Sequence, residues 1–411
     1  AQVKINYEEL LEAAFGVLYS LESLAAGTFP AIESALRDID AMISGELEPS
    51  YTVSTRDLVL PFEQLTPERE NTVGAKAAHL ARIKNQLGLP VPHGFVVTAH
   101  AFQRFMMEND LALPVARKLA RISLDSLGEM EKVCAEIQKM VAGASVPEDL
   151  ADEILKAYSL LEGKTFQGAP IAMRSSAVGE DTEATFAGQY TTVLNVTKGH
   201  VLDAYRTVLA GKYSAKAVSS LMRYGLDDRE TPMCVAGIVM VDARSSGVMY
   251  TADPSSGNRD MIKIHSLWGL GEHLVDGSAS PDTFLVDRKR HAIIRRELSR
   301  KENRLIIRKN GGTKLETVSD SEKNLSSISD DKIAKLAEYG RKLEELFKGP
   351  QDIEWALDKQ GILFILQSRP LRLPAVAAVA ADRNDFKPDP DRNPVLLTGG
   401  RPASPGIAAG N

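Results

Sequence analysis

Apolar positions change period along the chain, and each change marks a change of element. In residues 1–50, Leu10, Leu11, Ala14, Val17, Leu18 and Leu21 recur on one helical face, and "AIESALRDIDAMI" supplies a second helix. A helical hairpin that packs or dimerises is the simplest account of this preface. "GAKAAHLARIKNQLGLPVPHGFVVTAHAF" (74–102) predicts an amphipathic helix, a break at Gly88 and Pro90, a β-prone "GFVVT" and a new helix start. Helical periodicity with charged faces continues over 103–163, giving a helical subregion at about 100–165. Between 169 and 290 the pattern shortens to β-prone runs, "TTVLNV", "CVAGIVMV", "GVMYTADP", "MIKIHSLWG" and "DTFLVD", with one helix among them, "VLDAYRTVLAGKYSAKAVSSLMRYG". "RKRHAIIRRELSRKENRLIIRK" alternates basic and apolar residues and reads as a hairpin with a solvated basic face. A helix at 330–347 precedes "QDIEWALDKQGILFILQSRP", two strands joined by an Asp-Lys-Gln-Gly turn. Strands and helices mixed in this order predict an α+β domain with a largely antiparallel sheet.

Composition narrows the picture without identifying a function. A chain of 411 residues exceeds one ordinary core, so two or three units are expected. With 55 acidic against 49 basic residues the net charge is -6, which gives no global field for nucleic acid, and the basic stretch lacks aromatics for stacking bases. Apolar runs such as "PMCVAGIVMV" fall far below the roughly 20 residues of a membrane helix. Cys134 and Cys234 stand far apart and outside any CxxC spacing, which argues against a disulfide framework or a zinc site and suits a reducing cytoplasm. "AVAAVAADRNDFKPDPDRNP" reads as a linker. Ala1 is not an initiator methionine and the chain stops at the turn-rich "PASPGIAAGN", so a piece of a longer protein is expected.

Four places carry chemistry. In the hairpin, Asp352 and Glu354 lie two apart, as do Gln367 and Arg369, so each pair projects from one face of its strand. Ile353, Trp355, Phe364 and Leu366 alternate toward the other face as a core would. Two carboxylates beside an amide and a guanidinium suit a magnesium nucleotide site, because hard Mg²⁺ takes oxygen ligands and arginine offers phosphate a forked donor. Taken alone, an exposed salt-bridged hairpin is the simpler account. Arg174 ends "APIAMR"; Ser175 and Ser176 offer small residues for phosphate approach, and Glu180, Asp181 and Glu183 form an acidic turn before Ala187 and Gly188. An ordinary loop with a salt bridge explains that segment equally simply. Lys76 begins a helix without any GxxxxGK[ST], so a P-loop is excluded and a solvated lysine is the default. "WGLGEHLVDG" holds glycines that suit a phosphate-facing loop, a weak signal, and His265 and His273 show no paired ligand spacing.

In order, "GAKAAHL", "LPVPHGFVVT", "MRSSAVGEDTEATFAGQYTTVLNV", "SGVMYTADPSSGNRD", "WGLGEHLVDGSASPDTFLVD", "DIEWA" and "ILQSRP" resemble the nucleotide-binding domain of the phosphoenolpyruvate synthase (pyruvate, water dikinase) and pyruvate phosphate dikinase family, over roughly residues 58–375. Rifampicin phosphotransferases share the domain, and "RSSAVGED...FAGQY" looks more like the synthase and rifampicin types than the phosphate dikinase. The resemblance implies an ATP-grasp fold, two α+β subdomains that clamp ATP. It implies that Lys76, Arg174, Ser175 and Ser176 hold phosphates, that Asp352, Glu354 and Gln367 contact Mg²⁺ or nucleotide, and that Arg369 lies over the transferring phosphates. It further implies the ATP-grasp domain at 53–375 and, at 397–411, the start of a swivelling phosphohistidine domain, suggested by "LLTGGRPASPGIAAGN"; the helical extension at 1–52 lies outside the resemblance, and the linker is placed at 376–396. The β-phosphate of ATP would pass to a histidine there and on to pyruvate on an acceptor domain. Rifampicin-like acceptors and a non-catalytic nucleotide-sensing module are the competing readings. The "TSHAA"-like phrase of the carrier histidine does not occur here, so full turnover by this chain alone is not expected. Ile238 stands where relatives carry a glutamine beside adenine, which leaves nucleotide preference open.

Overall fold

The computed structural model describes residues 10–11, 13–21, 31–32, 34–36, 38–39, 56–123, 126–179, 190–224, 226–275, 277, 279–309 and 311–373. The acidic turn at Glu180–Glu183, the linker at 376–396 and the segment 397–411 lie outside the described residues. The strands are β1 (Val59–Pro61), β2 (Gly94–Val97), β3 (Ile171–Ala177), β4 (Thr192–Val196), β5 (Met233–Val239), β6 (Ala243–Tyr250), β7 (Met261–Trp268), β8 (Asp282–Asp287), β9 (Ile293–Glu297), β10 (Asn303–Ile307), β11 (Thr313–Thr317), β12 (Gln351–Asp358) and β13 (Leu363–Pro370). The helices used below are α1 (Ala75–Leu87), α2 (Ala99–Glu108), α3 (Ala112–Leu119), α4 (Leu127–Gly143), α5 (Glu148–Lys164), α6 (Val201–Gly211), α7 (Ala215–Arg223) and α8 (Asp330–Phe347).

Strands β1-β2-β5-β3-β4 form one sheet and β13-β12-β6-β7-β8-β9 another, with every neighbouring pair antiparallel. One face of the first sheet, through Phe95, Val97, Ile171, Met173, Met233 and Val235, packs on Phe105, Ile137, Ile154, Tyr158 and Tyr205 of α2, α4, α5 and α6. The other face belongs to a single apolar cluster that runs through α1 into the second sheet and α8, joining Ala77, Leu80, Ala236, Ile264, Trp355, Leu336 and Leu343. α1 is thus wedged between the two sheets. It ends on Gly88 in the left-handed region (φ 61°), the break read at that residue.

Three sequence expectations need correction. The 201–225 segment is two helices, because Ser214 leaves the helical path and caps α7 by accepting a hydrogen bond from Ala217 N. The basic stretch is not one hairpin: β9 pairs with β8, while β10 pairs with β11 in a separate two-stranded ribbon. The core face of β13 is Leu363 and Ile365, not Phe364 and Leu366. The register runs Glu354↔Gln367 and then Trp355↔Ile365, so Leu366 is an extra residue that inverts the alternation. In the N-terminal helix, Leu18 is buried, whereas Leu10 and Val17 are exposed at 68% and 62% and Leu21 is also exposed, so half of the six stripe residues lie at the surface.

Charge adds to the packing of α1 and α5 beside the start of the first sheet. Glu63 accepts a hydrogen bond from Lys84 Nζ at 2.8 Å and lies 3.2 Å from Lys164 Nζ. Partial burial pushes its carboxyl up, but Lys84, its own backbone amide and Lys164 outweigh that and hold it at about 2, below the ordinary 4.5. A folded-state value below the unfolded one means stability that is present above pH 4.5 and lost as pH falls toward 2. Glu63→Gln is expected to flatten the dependence of Tm on pH within that window; a slope equal to that of the unsubstituted protein refutes the assignment.

Candidate functional site

Alternation along β3 decides what reaches between the sheets. Ile171 and Met173 face the helical layer, so Ala172 and Arg174 point the other way, opposite Ile238 and Ala236 of β5. That face borders a cleft of about 670 Å³, walled by β3, β4 and β5 on one side and by β6, β12 and β13 on the other. The size and the mixed apolar and charged lining suit a small-molecule ligand.

Arg174 crosses the cleft. Its Nη2 donates to Glu354 Oε2 at 2.8 Å and to Gln367 Oε1 at 2.9 Å, and Nη1 donates to the Leu366 carbonyl at 3.1 Å. Gln367 lies directly opposite Glu354, so the two share a face, and the Leu366 bulge that follows turns Ile365 into the core. Two residues along, Asp352 and Arg369 are directly opposite, and Arg369 donates to Asp352 Oδ2 from Nε at 2.9 Å and from Nη2 at 2.6 Å. The hairpin therefore brings both pairs together as strand alternation predicted.

The charges influence one another. Burial pushes the Glu354 carboxyl up, but Arg174, with Lys76 and Arg369 behind it, more than offsets this and holds it below the usual range. Asp352 goes the other way: burial, aided by the nearby Glu354, outweighs Arg369 and leaves its carboxyl raised. Lys76, in the first turn of α1, is near enough for its field to be felt at Glu354. Lys76, Arg174 and Arg369 thus gather around two carboxylates, leaving one net positive charge.

The two serines are not part of this group. Ser176 is fully buried; its Oγ donates to the Val73 carbonyl at 2.9 Å and accepts from Ala77 N at 3.1 Å, fastening the end of β3 to the start of α1. Ser175 lies on the opposite face of β3 from Arg174, beside Val235, and is 4% exposed. Ile238 lines the cleft as an apolar wall residue. In "WGLGEHLVDG" only Leu270, Gly271 and Glu272 border the cleft; Gly269, at φ 76°, is required elsewhere, since an added Cβ would lie 2.3 Å from the Leu305 carbonyl oxygen. His265 packs its ring against Tyr250, and burial holds its pKa down at about 4, so it stays neutral and structural.

Sequence reasoning missed Lys216, Glu272 and Tyr250. Lys216 and Glu272 border the cleft. Tyr250, at the end of β6, stands opposite Asp352 of β12, and burial together with that carboxylate raises its hydroxyl pKa. Glu272 belongs to "WGLGEHLVDG", but Lys216 follows an ordinary helix start and carries no local mark. Among the described residues no cluster of three or more His, Cys, Asp and Glu is placed to hold a metal, and no helix is long and apolar enough to cross a membrane.

Comparison with known proteins gives consistent matches. Residues 70–387 match the family described as "Pyruvate phosphate dikinase, AMP/ATP-binding domain". A probable phosphoenolpyruvate synthase of Methanothermobacter thermautotrophicus is 36% identical over 85% of this chain and 50% of its own length. One from Methanocaldococcus jannaschii is 34% identical over 85% of this chain and 29% of its own length. A rifampicin phosphotransferase of Streptomyces sviceus is 34% identical over 77% of this chain and 36% of its own length. The chain thus spans half or less of the length of these relatives.

Proposed function

The chain belongs to the family of pyruvate phosphate dikinase AMP/ATP-binding domains, and from that premise we propose that its cleft is an ATP-grasp site that holds Mg-ATP for phosphoryl transfer. The observation that carries the reading is Arg174, which reaches from one sheet to Glu354 and Gln367 of the other on the floor of a cleft large enough for a nucleotide. Family membership supplies ATP; the residues supply its handling. Arg174 and Arg369 offer planar forked donors that match phosphate oxygens, and Lys76 adds a point charge. Asp352, Glu354 and Gln367 form an all-oxygen donor set, the type a hard cation selects, so they fit Mg²⁺. When bound, Mg²⁺ would neutralise phosphate charge; the protein side of the chemistry is positioning and charge neutralisation. Adenine would lie toward Ile238 and Leu194, with Glu272 available to accept from ribose hydroxyls.

The domain layout expected from the sequence stands in the same proposal: a helical extension at 1–52, the ATP-binding unit at 53–375, a linker at 376–396, and a following carrier domain whose histidine receives the β-phosphate. Pyruvate is the proposed final acceptor because several relatives carry the name phosphoenolpyruvate synthase. The rifampicin phosphotransferases among the relatives support a second reading in which only the acceptor differs. The exposed Leu10 and Val17 agree with a homodimer or domain contact made by the N-terminal helix.

Mg-ATP at 100 times its Kd is expected to stabilise the chain by about 2.7 kcal/mol, read as a rise in Tm of a few degrees. Arg369→Ala and Glu354→Ala should each erase that rise. If the unsubstituted chain shows no shift at millimolar Mg-ATP, the proposed site is wrong.

A further inference from the structure

A second cavity, of about 430 Å³, lies between the β10–β11 ribbon and the segment Asp242–Arg244, and it meets the nucleotide cleft at Ala243. Its charges do not balance. Lys359 donates to Asp242 at 2.7 Å and Arg304 donates to Glu316 at 2.8 Å, which engages both carboxylates of the lining. Arg244, Arg308 and Lys309 remain, and among the described residues none of the three has an ion-pair partner. Arg244 rests over the Trp268 ring at 5.8 Å, a contact that orients a guanidinium without neutralising it. Arg244, Arg308 and Lys309 are exposed, and without carboxylate partners they make the rim of this cavity locally positive in a chain of net charge -6, which favours an anion there.

The wall carrying two of these cations is held firmly. Asn195 of β4 adopts the left-handed region at φ 55°, a conformation that costs a non-glycine residue energy and persists only where contacts enforce it. The enforcing contacts are on the ribbon: Asn195 Nδ2 donates to the Arg308 carbonyl at 2.7 Å and to the Gly312 carbonyl at 2.6 Å. The turn that displays Arg308 and Lys309 is thereby anchored to the strand next to Arg174. Ile306, Ile307 and Phe166 provide an apolar shelf beside the charges.

We infer that this cavity is a second anion site, distinct from the nucleotide cleft, and that it takes a small ligand bearing two or more negative charges of the diphosphate type. Two arginines and a lysine match such a ligand, since the forks bind oxygen pairs and the ammonium adds charge. The inference does not depend on the cleft binding ATP.

Calorimetric titration of inorganic pyrophosphate into the full chain tests it, with Arg174→Ala used to remove any contribution from the cleft. One site is expected in the Arg174→Ala protein, with its Kd raised at least tenfold when Arg244→Ala and Arg308→Ala are added. Lys309→Ala alone, on an exposed side chain, should weaken binding in the same direction and guards against misfolding of the multiple variant. Absence of binding, binding unchanged by the added Arg244→Ala and Arg308→Ala pair and by Lys309→Ala, or binding that disappears with Arg174→Ala alone would each overturn the assignment.

Discussion

Arg174→Ala is expected to lose the response of Tm to Mg-ATP and to lower the Tm of the free protein by several degrees. The stability loss follows from what the substitution leaves behind. Glu354, whose carboxyl Arg174 holds low against the pull of burial, then lacks the neighbour that made its burial tolerable. Breaking a fully buried ion pair costs about 3–5 kcal/mol; with 21% and 25% of the two side chains exposed, roughly 2–3 kcal/mol is the expectation here. Losing charge-assisted bonds of about 1.5–3 kcal/mol each to phosphate should weaken ATP at least about 100-fold. Arg174→Lys keeps the charge but not the fork and should fall between. An Arg174→Ala protein that still shows the full Mg-ATP shift would remove Arg174 from the site.

Gly74→Ala should damage the fold more than any substitution on the cleft surface. Gly74 sits at φ 76°, and a Cβ there would lie 1.9 Å from the Ser176 carbonyl oxygen and 2.5 Å from its carbon. These are backbone atoms of β3, two residues past Arg174, so relief requires the strand or α1 to move. A loss of at least about 3 kcal/mol is expected, combining left-handed strain with the clash, and the ATP response should go with it because Lys76 and Arg174 lie on either side of the contact. Gly88→Ala is the control: it has φ 61° but nothing within 4 Å of the added Cβ, so about 1 kcal/mol should suffice. Equal costs in urea unfolding would show that strain alone, rather than the approach of β3, explains Gly74.

How much of this was readable in the chain depended on how local each signal was. The "GAK" helix, its end at Gly88 and the Asp-Lys-Gln-Gly turn rest on neighbours in sequence, and all of them formed. Asp352, Glu354, Gln367 and Arg369 were brought to one side by alternation. Yet the residues after the turn, "ILFIL", are apolar at every position, so period two cannot say which of them faces the core, and the bulge at Leu366 left no trace. The basic stretch misled for a related reason. Its alternation correctly marked strands, but which strand each one joins is decided by contacts far along the chain, β8 for β9 and β11 for β10. The serines after Arg174 looked like phosphate contacts because a small polar residue that lets a phosphate approach is the same residue that lets a helix approach. Lys216 reaches the cleft through tertiary placement alone.

The position of α1 has a further consequence, for the way the protein comes apart. Its apolar face shares one continuous cluster with the floor of both sheets, so neither sheet can shed its packing while α1 stays ordered against the other. Partial opening of one wall of the cleft therefore carries nearly the cost of unfolding both, and the two halves of the site behave as a single cooperative unit rather than as two that melt in turn.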